Sequence, residues 1–308
     1  MSMRARLINT WLRRVEKPRL ARAARPEDLR EGLERQARLF FRAPRGSQMQ
    51  WQVLEAGQRR LDALEIVPRD LRSDGVVLYI HGGAFVFGSP HTHAAMAAAL
   101  GARLGARVVL PKYRLAPEVP FPAAPADVRT AWDALLAQGV PADQIIIGGD
   151  SAGGALALGL LAGICAEGGA RPAGVFCLSP LTDLTYSGES FHQNAEREAL
   201  LAASRAFELS EMYLGALAAD RPDVSPLFAE FAGACPVWLT VGDTEILRDD
   251  SRRMVRRLEE QGVPVTFEER HDLPHVWPLL HNILPEGRET LDQVAAWIRR
   301  QPGWPAGS

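Results

Sequence analysis

Short apolar runs alternate with longer helical stretches over most of this chain. Val76–Ile80 and Ile145–Ile147 have the length and composition of buried strands, and the Ala-, Leu- and Gly-rich stretch Ala152–Ala166 has those of a buried helix. Alternation of this kind predicts an α/β fold, with a mostly parallel sheet and helices on both faces. The other predicted strands are Arg107–Leu110, Val175–Leu178, Val237–Val241 and Val265–Glu268, and the other predicted helices are Thr92–Arg103, Ala124–Leu136, Arg248–Gln261 and Gly287–Arg299.

Two segments depart from this rhythm. Residues 50–54 and 61–67 alternate apolar and polar positions around Gly57, which predicts an antiparallel hairpin at a sheet edge. Residues 187–217 show only helical periodicity, over Ala195–Leu201 and Phe207–Leu217. An insertion between strands lies above the carboxyl ends of an open sheet, where ligands bind. We therefore expect a helical cap of residues 1–45 and 187–217 over a core in two parts, residues 46–186 and 218–308.

The first 45 residues are rich in arginine, and Pro26 marks the start of the second of two predicted helices. A basic helix of this kind is compatible with a membrane surface. Glutamates at Glu16, Glu27, Glu31 and Glu34 dilute the basic character. We therefore favour a solvated face on a helix that packs over the domain.

Composition narrows the class of protein. The 308 residues are 47% hydrophobic and 23% charged, as in a globular domain with a large core. A net charge of −2 gives no reason to expect nucleic acid as a partner. Three scattered cysteines predict neither a zinc site nor a disulfide framework. No apolar run has transmembrane length, so we expect no stable membrane insertion and a cytoplasmic protein.

The stretch Gly149-Asp150-Ser151-Ala152-Gly153 joins a predicted strand to a predicted helix. Gly-x-Ser-x-Gly in that context is the turn that exposes a nucleophilic serine. Taken alone, the motif also fits a serine that merely caps the helix. His81-Gly82-Gly83 after the strand Val76–Ile80 reduces that alternative, because such glycines let backbone N–H groups approach a substrate carbonyl. We assign the N–H groups of Gly82, Gly83 and Ala152 to an oxyanion hole.

The base and the acid should follow the last strands, since this fold runs serine, acid, histidine. His275 ranks before His271 and His281, because it lies in the loop after Val265–Glu268. The acid belongs to the loop after Val237–Val241, where spacing leaves Glu245 and Asp243 both open. A metal site at His91 and His93 has little support, because no carboxylate cluster accompanies them.

The chain resembles the hormone-sensitive-lipase-like family of α/β-hydrolases, bacterial carboxylesterases of the GDSAG type. The resemblance runs from about residue 75 to the C-terminus and rests on stretches in the family's order. They are His81–Gly83, Tyr113–Glu118 with Pro120–Ala124, Gly149–Gly154, Leu178–Pro180, Asp223–Leu227, Glu245–Asp250 and Pro274–His275.

The resemblance implies a Ser151–His275–Glu245 triad, in which glutamate replaces the family's commoner aspartate. Ala84 stands where the family usually has a third glycine. The implied activity is cofactor-free hydrolysis of short- to medium-chain esters. The resemblance also implies a homodimer that forms through the sheet edge. Residues 114 and 118 are expected to fix loops beneath the site. Candidate pocket walls are Phe85, Phe87, Phe191, Met212, Tyr213, Leu214 and Trp277, although each aromatic fits the core equally well.

Two other functions stay open. Plant gibberellin receptors are similar to this family but lack a working triad, so a small-molecule receptor is one alternative. The presence of Ser151, an acid and His275 disfavours it. Amidase, thioesterase or acyltransferase activity would use the same groups, and the sequence does not separate these from an esterase.

Overall fold

The computed structural model describes residues 1–23 and 25–305. Among these, eight strands form one sheet in the order β1-β2-β4-β3-β5-β6-β7-β8. The strands are β1 (Gln48–Ala56), β2 (Arg59–Val67), β3 (Val76–Ile80), β4 (Arg107–Pro111), β5 (Ile145–Asp150), β6 (Gly174–Leu178), β7 (Val237–Gly242) and β8 (Val265–Arg270). The β1–β2 and β2–β4 pairs are antiparallel and the remaining pairs are parallel. The predicted fold class and the edge hairpin are confirmed.

Helices cover both faces of the sheet. They are α1 (Met3–Trp11), α2 (Lys17–Arg22), α3 (Pro26–Phe40), α4 (Pro90–Leu104), α5 (Ala123–Ala137), α6 (Ala152–Ala166), α7 (Glu189–Gln193), α8 (Ala206–Leu214), α9 (Arg248–Glu260) and α10 (Pro285–Ile298). One apolar cluster fills the side of α5, α6 and α9, and another fills the side of α4 and α10. Strands β3 and β5 are buried along their whole length, which explains their continuous apolar runs.

The N-terminal segment forms two helical arms. A π-helical turn, Leu12–Glu16, joins α1 to α2, so residues 3–22 are one helical rod, called here the N-terminal rod. Helix α3 begins at Pro26, as predicted. Arg30 on α3 donates to the carbonyls of Val86 (2.8 Å) and Ala116 (2.9 Å) and pairs with Glu118 at 2.7 Å. The expected role of Glu118 therefore includes anchoring a cap helix to the loops of the core.

The second cap segment differs from its prediction. Residues 195–201 form turns rather than a helix, and α8 ends at Leu214 rather than Leu217. The side chains of Asn194 and Glu198 bind backbone groups of the loop after β7. These tertiary hydrogen bonds override the weak helical preference of the segment.

Candidate active site

Ser151 lies at the sharp turn between β5 and α6. Its backbone has φ 51° and ψ −122°, a conformation that side-chain-bearing residues rarely adopt. The Ser151 N–H donates to the carbonyl of Leu178 at 2.9 Å, and its carbonyl accepts from the N–H of Leu181 at 3.0 Å. These two bonds to the segment after β6 hold the strained turn in place.

Two glycines make this turn sterically possible. A Cβ at Gly149 would lie 2.3 Å from the carbonyl oxygen of Gly153, and a Cβ at Gly153 would lie 2.1 Å from that of Ile80. Both separations are far below van der Waals contact, so the backbone on each side of Ser151 approaches its neighbours more closely than any side chain allows. The Gly-x-Ser-x-Gly pattern is thus a packing requirement of the turn.

His275 and Glu245 form a buried pair next to this turn. His275 Nδ1 donates to Glu245 Oε2 at 2.6 Å. The other carboxylate oxygen of Glu245 accepts from the hydroxyl of Ser179 (2.8 Å) and the N–H of Gly242 (2.6 Å). Burial alone lowers the pKa of His275, but the hydrogen bond and charge of Glu245 outweigh it and raise this pKa above its ordinary value. With Nδ1 engaged, Nε2 is the nitrogen left to act as a base.

Asp243 has different partners. Its carboxylate lies 2.7 Å from Nδ1 of His271, whose side chain is 75% exposed, and accepts from the N–H of Asp272 at 2.8 Å. Burial alone raises the pKa of Asp243, but its bonds to Asp272 and His271 outweigh this effect, so the pKa lies below its usual range. Of the two acids that spacing left open, the structure brings Glu245 to His275.

The glycine loop after β3 faces the same space. Gly82, Gly83 and Ala84 line a cavity together with Ser151 and His275. The Gly82 N–H, however, donates to Asp150 Oδ1 at 3.1 Å. Contrary to the expectation from the sequence, that N–H is already engaged and cannot serve as a free oxyanion donor.

A buried polar network supports this loop from below. Asp150 accepts from the hydroxyl of Tyr79 at 2.7 Å and lies 3.2 Å from Nε2 of His93. Burial and the nearby charge of His93 lower the pKa of His81 to about 3, so His81 is neutral at physiological pH. The other candidate metal ligand, His91, packs edge-on against Trp51 with ring centroids 5.3 Å apart. His93 and His91, the two residues weighed as metal ligands, thus contact the side chains of Asp150 and Trp51.

The cavity above Ser151 has a volume of about 540 Å³ and an apolar lining. Such a volume is typical of small-molecule sites. Much of the lining comes from the N-terminal rod and α3, on which Trp11, Leu12, Leu29 and Leu33 face the cavity. The cap segments therefore supply much of the apolar wall over Ser151 and His275.

Most of the predicted pocket-wall residues lie outside the cavity lining. Phe87 lines the cavity, but Phe85, Phe191, Met212, Tyr213, Leu214 and Trp277 do not belong to its lining among the described residues. Phe85 stacks on Tyr213 with ring centroids 3.9 Å apart, and Phe191 stacks on Tyr186 at 4.7 Å. Trp277 is buried, and its Nε1 donates to Thr290. Each of these side chains packs against an aromatic or polar partner in the core. Tyr186, the partner of Phe191, does line the cavity.

The sequence analysis assigned no role to two side chains that hold the acid or the loop that carries it. Ser179 Oγ contacts both Glu245 and the N–H of Val276, at 2.8 and 3.3 Å. Glu198, fully buried, accepts from the N–H of Ile246 at 3.1 Å. Burial raises the pKa of Glu198, and the charge of Glu245 raises it further. Ser179 stood within a family motif, whereas nothing in the pattern around Glu198 marks it.

Comparisons with known proteins identify the family of this fold. Residues 77–279 match the model of a family with the α/β-hydrolase fold. An acetyl-hydrolase of Streptomyces hygroscopicus is 39% identical over 236 residues, which are 76% of this chain and 79% of that protein. An esterase of Acinetobacter venetianus is 34% identical over 272 residues, or 88% of each chain.

Solved structures extend the likeness to the whole chain. The crystal structure of an esterase from the bacterial hormone-sensitive lipase family has a TM-score of 0.89 and 34% identity, over 98% of this chain and 99% of that one. An esterase/lipase from an uncultured bacterium gives a TM-score of 0.89 at 31% identity, with the same coverage. The chain therefore belongs to the hormone-sensitive-lipase-like family of α/β-hydrolase esterases.

Proposed function

We propose that this carboxylic ester hydrolase is a serine esterase that works through Ser151, His275 and Glu245. The observation that carries the proposal is the strained turn at Ser151, which shares one cavity with His275 while Glu245 holds Nδ1 of that histidine. A nucleophile, a base and a group that orients the base are the three parts that acyl transfer to serine needs.

The proposed reaction has two halves. His275 Nε2 takes the hydroxyl proton of Ser151 as its oxygen attacks the ester carbonyl, and then gives that proton to the leaving alcohol. Water, deprotonated by the same nitrogen, next attacks the acyl-enzyme, and the proton returns to Ser151 as the acid leaves. Glu245 keeps the proton on Nδ1 and stabilises the imidazolium. The steps use protein groups and water alone, so they imply no cofactor.

The oxyanion would be held by the N–H groups of Gly83, Ala84 and Ala152. Gly83 and Ala84 line the cavity, and Ala152 is the first residue of α6. The N-terminal end of a helix carries unpaired N–H groups and partial positive charge, which favours a developing anion. Ala84 takes the place that the sequence assigned to Gly82, because only a backbone N–H is needed and that of Gly82 is bound to Asp150.

The raised pKa of His275 predicts the acid limb of the pH profile. Protonated His275 cannot accept the Ser151 proton, so kcat/KM falls as pH drops through this pKa. Because the shift is upward, we expect the midpoint above the value of about 6.5 for an ordinary histidine. A kcat/KM profile with p-nitrophenyl acetate measures it. A midpoint well below that value would contradict the proposed pairing of His275 with Glu245.

The apolar cavity supports short- to medium-chain acyl esters as substrates. Each methylene that enters such a cavity contributes about 0.8 kcal/mol, or roughly four-fold in binding. We expect kcat/KM for p-nitrophenyl esters to rise from acetyl to about hexanoyl, and to fall at palmitoyl because the cap bounds the cavity. A profile with its maximum at palmitoyl would reject this substrate class.

No turnover of any ester by the folded protein would reject the esterase and favour a receptor.

Other predictions from the sequence depend on separate measurements. Turnover of p-nitroanilides or thioesters under the same conditions tests the related acyl-transfer activities. Size-exclusion chromatography with light scattering tests the homodimer.

A further inference from the structure

The outward face of the N-terminal rod is apolar. Met3, Leu7, Trp11 and Val15 recur at every fourth position, with exposed fractions of 78%, 69%, 46% and 46%. The helical rise places the first and last of them about 18 Å apart along the rod. A surface helix of a globular protein normally turns its apolar stripe inward. This stripe is instead largely exposed.

Specific contacts fix that orientation. Asn9 donates to the carbonyl of Asp272 at 2.6 Å, and Arg13 donates to the Asp272 carboxylate at 2.8 Å. Lys17 donates to the carbonyl of Ala195 at 2.6 Å. These polar anchors lie on the inner face, so the rod cannot rotate to bury its stripe without losing them.

Exposed arginines flank this apolar stripe along the rod. Arg4, Arg6, Arg14 and Arg22 are exposed, and none of them forms an ion pair among the described residues. Glu16 is the only acidic residue in positions 1–23. It is buried and bound to Arg19 and Gln36. Of the four glutamates expected to dilute the basic character, the one on the rod therefore turns inward, on a protein whose net charge is −2.

We propose that the N-terminal rod lies flat on an anionic lipid surface, with Met3, Leu7, Trp11 and Val15 dipping into the headgroup region. Helices that bind membranes in this way combine an apolar face with flanking arginines, and each cation near an anionic surface adds attraction. A second copy of the chain is a poorer occupant, because a symmetric contact through this face would bring the same arginines together. Among helices of the described residues, none is long and apolar enough to cross a membrane.

The rod also borders the candidate active site. Trp11 is half exposed on the outer face, yet it lines the cavity of Ser151 together with Ile8 and Leu12. A rod held on lipid would place this side of the cavity next to the bilayer. The docking surface does not depend on Ser151, so binding and hydrolysis can be tested separately.

Sedimentation with phosphatidylcholine vesicles, with and without about one third phosphatidylglycerol, tests the proposal. We expect at least about ten-fold stronger binding to the anionic vesicles, reduced at high salt. Arg6→Gln/Arg14→Gln should weaken binding about 25-fold, at roughly five-fold for each cation removed. Leu7→Gln/Val15→Gln should weaken it about ten-fold, because the apolar contact is lost.

The controls separate docking from folding and from self-association. Arg256→Gln/Arg300→Gln removes two exposed arginines outside the rod and should bind as the wild type does. Leu7 and Val15 do not line the cavity, so their double variant should keep its turnover of soluble esters. Weak or equal binding of the wild type to both vesicles would overturn the proposal. The proposal would also be overturned if the wild type formed a dimer in solution and the Leu7→Gln/Val15→Gln variant alone did not.

Discussion

Ser151→Ala should lower kcat for p-nitrophenyl butyrate by about 10⁵ to 10⁶-fold, because removing the nucleophile of a serine hydrolase removes the acyl-enzyme route. Alanine keeps a Cβ at the strained position, so the turn that Gly149 and Gly153 permit is unchanged. The residual rate would come from binding and from the oxyanion donors. Burst kinetics with the wild type and their absence in the variant measure the same step directly.

Ser204 offers a matched control. It is exposed, lies in the cap close to the cavity and does not line it. Ser204→Ala should therefore leave kcat within about two-fold, as surface changes usually do. Equal thermal unfolding of the Ser151→Ala variant and the wild type would exclude a folding defect. If Ser151→Ala retained wild-type turnover with the proper fold, the proposed nucleophile would be wrong.

Glu245→Gln should lower kcat by about 10⁴-fold, whereas Asp243→Asn should change it by less than about ten-fold. The glutamine amide can donate to His275 Nδ1, which would leave the proton on Nε2 and remove its basicity. Asp243 contacts His271 and Asp272 instead, on the exposed side of the same loop. Any remaining activity of Glu245→Gln should have its acid limb at lower pH, because Glu245 raises the pKa of His275.

The two acid variants distinguish Glu245 from Asp243 as the triad acid, since both replace a carboxylate by an amide within three positions of the same loop. Glu245→Asp adds a graded control, because it keeps the charge but shortens the reach to His275 by one methylene. We expect it to recover part of the activity. A large loss in Asp243→Asn with an active Glu245→Gln would transfer the role of the acid to Asp243.

Much of the core could be predicted because its elements are buried on both sides. The strand β5 and the helix α6 carry continuous apolar sequence that has no other stable place. The helix predicted over residues 195–201 was wrong for the opposite reason. Its local helical preference is weaker than the stabilisation from the tertiary hydrogen bonds of Glu198 and Asn194. No pattern in the sequence predicts those hydrogen bonds.

The candidate site divides in a similar way. Ser151 and His275 stand in motifs whose spacing reflects backbone geometry, so their positions follow from the sequence. The residues of the cavity walls do not follow from the sequence, because Leu29 and Leu33 come from a helix that is distant in sequence from Ser151. Helical periodicity identifies a buried face but does not identify the residues against which it packs. Phe85 and Trp277 misled for the same reason, since an aromatic ring suits a pocket and a core alike.

The hydrogen bonds between the cap and the loop after β7 bear on how caps could be exchanged between relatives. Asn194 donates to the carbonyl of Glu245 at 2.8 Å, and Ser190 donates to that of Ile246 at 2.8 Å. A chimera that replaced residues 187–217 alone would leave these buried carbonyls and the N–H of Ile246 without partners. A transplanted cap therefore needs to bring equivalents of Ser190, Asn194 and Glu198, or be moved together with the loop that carries Glu245.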